Sequence, residues 1–164
     1  MKKKISFILI VLISFIVLIN YKNNKDDFPD NIPKTNITVN NVVYKTEKGE
    51  GTWTSGKLPN GNISGSSYLV DYDEEFTEKC SFIEVHPNDD LKFDISYNEK
   101  IQRVTLYKID SKNCVKKQDS LILNEPYSFK APNENGEYYY ALNVKWDDNH
   151  NFDYLFKITC FMDI

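Results

Sequence analysis

The sequence predicts an all-β fold: an antiparallel β-sandwich behind one N-terminal hydrophobic helix. Three observations carry this. After residue 33 the apolar residues alternate or cluster in short runs bounded by Asn, Asp, Gly and Pro, and no helical periodicity stands out. Leu91–Tyr97 alternates cleanly, with Leu91, Phe93, Ile95 and Tyr97 on one side and Lys92, Asp94 and Ser96 on the other. Two long alternating runs near the end, Tyr138–Trp146 and Tyr154–Met162, flank the polar loop Asp147–Asn151, as in a hairpin.

The N-terminal helix comes first. Lys2, Lys3 and Lys4 precede Ile5–Ile19, which is apolar except for Ser6 and Ser14. A basic start before an apolar run is an export signal. As a helix the run rises about 22 Å at ~1.5 Å per residue, against a ~30 Å hydrocarbon core. Lys4, Tyr21 and Lys22 extend its reach by sitting at the interfaces. No small-residue cleavage site follows, so residues 1–20 read as an uncleaved signal-anchor, with a cleaved signal peptide as the alternative. The lysine bias places the N-terminus in the cytoplasm and the body outside. Residues 21–33 hold Pro29, Pro33 and three aspartates and read as a polar tether to a domain at 34–164.

The domain's strands are expected at Asn36–Lys45, Gly51–Thr54, Ser67–Tyr72, Cys80–Val85, Leu91–Tyr97, Ile101–Ile109, Ser120–Leu123 and Pro126–Lys130, followed by the two long runs. Tyr138, Tyr140, Leu142, Val144 and Trp146 share a face. Tyr154, Phe156, Ile158 and Cys160 share one on the next strand. Paired antiparallel, both large-residue faces fall on one side and need a second sheet, for which the Leu91, Phe93 and Ile95 face is the natural partner. Tyr139 then points the other way, beside Ala141. It is the one candidate binding residue, unless a strand at Asn36–Lys45 or Gly51–Thr54 covers it.

Composition narrows the function. The chain carries a net charge of −4, and three of its lysines lie at its start, so the body is more acidic still. Arg103 is its only arginine. Phosphate clamps and guanine readout lean on arginine and a positive field, so a nucleic-acid partner is not expected. His86 and His150 are the only histidines, and no nucleophile elbow, zinc-protease motif or phosphate loop is present, so no catalytic residues are assigned. Asp147, Asp148 and Asp153 are oxygen ligands of the kind calcium uses, but no EF-hand spacing holds them, and solvated hairpin residues are the preferred reading. No cofactor is expected.

Several stretches together resemble a known domain. Gly51-Thr52-Trp53 starts the pattern, and Val85-His86-Pro87 precedes the alternating Leu91–Ile95 strand. Ala131-Pro132 then leads to Gly136-Glu137-Tyr138-Tyr139-Tyr140 through Trp146, and Tyr154-Leu155-Phe156-Lys157-Ile158 closes it. Residues 36–160 thus resemble a recurrent small extracytoplasmic domain of Gram-positive envelope proteins, found in lipoproteins and as the outer part of membrane sensors. The resemblance implies a fold and a location and carries no catalytic residues. The sequence departs from it by lacking a lipobox cysteine and by holding Cys80, Cys114 and Cys160. With immunoglobulin-like strand order, Cys114 and Cys160 fall at the same end of the sandwich and form the favoured disulfide, though three pairings stay open.

These readings combine into one expectation. The chain is a membrane-tethered or secreted module that meets an envelope component or a protein partner. The alternatives are a small secreted enzyme, an inhibitor presenting the Gly56–Gly61 loop, and a ligand-free spacer.

Overall fold

The structure, a computed structural model, describes residues 28–57, 63–110 and 115–161. It is built almost entirely from antiparallel strands in two sheets. The smaller sheet has the order β2-β1-β6-β9, from β1 (Thr35–Val39), β2 (Val42–Lys45), β6 (Asp90–Ile95) and β9 (Ser128–Lys130). The larger has the order β4-β3-β11-β10-β7-β8, from β3 (Glu47–Lys57), β4 (Ile63–Tyr68), β7 (Arg103–Ile109), β8 (Lys116–Leu123), β10 (Gly136–Lys145) and β11 (His150–Cys160). A further strand, β5 (Phe82–Val85), pairs parallel with the second half of β11. Between β4 and β5 a short helix, α1 (Tyr72–Glu74), runs directly into a π-helical turn, Glu75–Lys79.

The last hairpin forms in the expected register. Tyr138 faces Ile158, Tyr140 faces Phe156, Leu142 faces Tyr154 and Val144 faces Phe152. The period of two leaves no other choice, because a slip by one residue would turn every large side chain outward. In the smaller sheet, Leu91, Phe93 and Ile95 are buried while Lys92 and Asp94 are exposed. These faces meet in the main core, joined by Ile37, Val39, Trp53 and Phe129. The layered arrangement is thus a β-sandwich.

Several elements differ from the sequence reading. The expected strand Asn36–Lys45 is a hairpin, β1 and β2, because Asn40 and Asn41 take φ of 49° and 66°. A two-residue turn with both φ positive matches strand twist, and asparagine tolerates that region. The Gly51–Thr54 strand extends to Glu47–Lys57. Glycine is required at position 51, since a Cβ there would sit 2.4 Å from the Asn151 carbonyl oxygen, beside the register shift where β3 carries one more residue than β11. Residues 28–33, read as tether, pack on the body. Phe28 stacks on His150 at 3.8 Å, Pro29 O accepts from Trp53 Nε1 at 3.0 Å, and Ile32 is buried.

The helical segment is the largest surprise. Asp71 caps it, its side chain accepting from the Asp73 amide, and Asp73 and Glu74 sit favourably in the first turn. Tyr72, Phe76 and Cys80 recur every four residues and are all buried on the far face of the larger sheet, against Ile109, Ala141 and Leu155. The larger sheet is therefore covered on both faces near β10 and β11. Among the described residues no helix is long and apolar enough to cross a membrane, and the expected anchor at 5–19 lies outside them.

Candidate functional site

Tyr139 does point to the far face, but it is not an exposed contact. Phe76 meets its ring edge-on at 5.3 Å and Phe82 does so at 6.1 Å, and its hydroxyl donates to Glu137 Oε2 at 3.4 Å. The cover comes from the helical segment and β5 rather than from the strands at Asn36–Lys45 or Gly51–Thr54. Tyr138 sits at the rim of the main core, with Lys108 Nζ 4.6 Å above its ring.

The three candidate calcium ligands go to different partners. Asp147 Oδ1 accepts from the Asn149 amide at 2.8 Å and lies 2.8 Å from His150 Nδ1. Asp148 accepts from Lys145 Nζ at 2.6 Å, which holds its carboxyl below the usual range. Asp153 is buried on the far face, accepting from the Tyr72 hydroxyl and, at 2.8 Å, from Asn143 Nδ2. Among the described residues no three histidine, cysteine or acidic side chains converge as a metal site would need.

The Tyr72–Asp153 contact ties the helical segment to the sheet. Burial, then the nearby Asp153 and Glu50 carboxylates, push the Tyr72 phenol far above its ordinary range. Tyr72→Phe removes a donor from a buried carboxylate, and hydrogen bonds to charged groups contribute about 1.5–3 kcal/mol. A loss of that size is expected in urea denaturation. A variant as stable as the parent would mean that the contact is not formed.

His150 is 3% exposed, and its Nε2 lies 3.0 Å from Thr54 Oγ1. With Asp147 at Nδ1, the connectivity is that of a carboxylate–imidazole–hydroxyl triad. However, the Thr54 carbonyl oxygen also lies 2.9 Å from Nε2. A carbonyl only accepts, so a proton on Nε2 would serve it and leave that nitrogen no lone pair for the Thr54 hydroxyl. The group acts as a clamp holding Phe28, Trp53 and the start of β11 together.

Cys80 and Cys160 are buried free thiols on opposite faces of the larger sheet, so the sheet itself separates them. Cys160 donates to Pro132 O at 3.2 Å, and Cys114, its expected disulfide partner, lies outside the described residues. Burial pushes the Cys80 thiol up to about 12, with Glu47 adding and Lys157 opposing. It is therefore no thiolate nucleophile at neutral pH.

The remaining concave feature of note is a cleft of about 700 Å³ where the start of β1 and the β2–β3 corner face the helical segment. Its lining includes Lys34, Lys45, Lys48 and Lys79, with Glu47 and Glu75. Tyr68 and Val70 add an apolar wall. Thr35, 3% exposed, also lines it. The neighbouring Tyr154 hydroxyl sends its own proton to Pro33 O at 2.8 Å, and burial raises its phenol while a hydrogen bond from the Thr35 hydroxyl opposes that rise. None of these residues was singled out by the sequence, because the cleft joins three separate stretches and its lysines read as ordinary surface residues.

No family model matches the chain and no curated protein matches it, so the resemblance to envelope domains rests on the residues that carry it.

Proposed function

We propose that this chain is an extracytoplasmic binding module, membrane-tethered through residues 5–19 or secreted, whose immunoglobulin-like sandwich meets an envelope component or protein partner. The observation that carries this reading is the cleft between β1, the β2–β3 corner and the helical segment. Its volume of about 700 Å³ lies within the ~300–1,000 Å³ range of small-molecule sites. It is lined by charged and aromatic side chains. The export signal and the acidic all-β body agree with this placement.

The test immobilises the full chain in detergent and passes envelope extract over it. Retained material that a Lys45→Glu, Lys48→Glu variant fails to hold supports the reading. No retention, or retention unchanged by the variant, sinks it.

A further inference from the structure

The strap ahead of β1 is part of the body rather than a free tether. The Phe28 ring stacks on His150 at 3.8 Å, Tyr97 meets it edge-on at 5.8 Å, and Lys100 Nζ lies 5.1 Å over it. Pro29 O accepts from Trp53 Nε1, Ile32 is buried in the main core, and Pro33 O accepts from the Tyr154 hydroxyl. The Lys34 amide donates to Ser96 Oγ at 2.8 Å, and the Ser96 amide donates to Lys34 O at 2.9 Å. Contacts spread along the whole strap hold it in one place, so it moves with the sheets.

Phe28 marks one end of the sandwich. His150 opens β11, and Trp146, just past β10, donates to Tyr97 O, so the turn at 147–149 and the loop at 97–102 lie at that end. The opposite end holds the turn at Asn40 and Asn41 and the loops at 86–89 and 131–135, next to Cys160 where β11 finishes. Asp89 ties those three loops together. Its Oδ2 accepts from the His86 amide at 2.9 Å and from Asn40 Nδ2 at 3.0 Å, and its carbonyl accepts from the Ala131 amide at 2.9 Å. β11 has eleven residues, so at ~3.3 Å per residue the two ends stand about 35 Å apart.

Eight residues, 20–27, separate the apolar run from Phe28. Even fully extended they span at most about 29 Å, at ~3.6 Å each. With the Asp89 end against the bilayer, Phe28 would stand about 35 Å from the surface, beyond that reach. Resting on the membrane-tethered form of the reading above, we propose that the Phe28 end of the sandwich, with the loops at 97–102 and 147–149, faces the chain's own bilayer. The three loops fixed through Asp89 are then the surface turned outward to a partner.

The experiment places the isotope-labelled full chain in lipid nanodiscs that carry a gadolinium-chelating lipid, and measures the relaxation enhancement of each amide. The expected result is a gradient: several-fold greater enhancement at 98–102 and 147–149 than at 40–41, 86–89 and 133–135. Equal enhancement at the two ends, or a greater one at the Asp89 end, overturns the proposal. A long glycine–serine insert between Asn24 and Lys25 lies ahead of the strap and lengthens the link. It should flatten the gradient with an unchanged melting temperature. A gradient that survives the insert overturns the part given to the short link. A chain that does not stay with the nanodisc, or that is found cut ahead of Phe28, also overturns the proposal. The secreted form of the binding-module reading would still stand, and the envelope-extract experiment judges it separately.

Discussion

Trp146→Ala is expected to remove about 3–5 kcal/mol of stability, the range for emptying a large aromatic site in a packed core. Trp146 is 1% exposed, its Nε1 donates to Tyr97 O at 3.0 Å, and Trp53 meets its ring edge-on at 5.2 Å. The substitution thus opens a cavity and strips a donor from a carbonyl. Domains of this size are stable by about 5–15 kcal/mol in total, so the variant keeps little reserve. Urea denaturation checks it: the midpoint should fall with an unchanged slope. Tyr138→Ala, at the rim of the same face, should cost far less. Equal costs at the two positions would contradict the core described for β10.

The second large effect is alkaline unfolding. Burial raises the phenols of Tyr72, Tyr140 and Tyr154 above the ordinary value of 10.0, and nearby carboxylates raise Tyr72 further. In the unfolded chain these tyrosines release protons near pH 10, whereas the folded chain retains them. Above that pH the native state binds more protons, so stability falls as pH rises. The contribution is complete below pH 10 and is lost as pH climbs toward the raised folded values. Each such group has a slope of about 1.4 kcal/mol per pH unit, so three together reach about 4 kcal/mol per unit. Cys80 adds to the slope between its ordinary 9.0 and about 12. Tyrosinate absorbance and far-UV circular dichroism should therefore change together in one cooperative step above pH 10. Smooth ionisation of every tyrosine with the dichroism intact would refute the burial assigned to these three.

Much of the sandwich was legible in the sequence where one physical rule acted alone. The Leu91–Ile95 strand alternates because it buries one face, and the final hairpin puts its largest side chains on the face that meets it, so their registers follow. The β1–β2 hairpin was missed because Asn40-Asn41 was read as strand, although asparagine is at home at positive φ. The helical segment left a readable trace in the spacing of Tyr72, Phe76 and Cys80 after a capping Asp71. It was passed over because only two turns carry it and acidic residues surround it. Phe28 and Ile32 hold a polar, proline-bearing stretch against the body, which composition alone does not reveal. The parallel pairing of β5 with β11 and the cleft depend on distant segments meeting, and no local pattern encodes them.

The position of β11 sets when this protein can fold. It has β10 along one edge, and β3 then β5 along the other. It is also the last of the eleven described strands to leave the ribosome. Until it is made, β3 and β5 have no bridge to β10, and the aromatic side chains of both layers lack their central surface. Such non-local pairing is slow to form. A nascent chain of this topology stays open until β11 has been made. That order of events makes β11 the trigger that closes the sandwich.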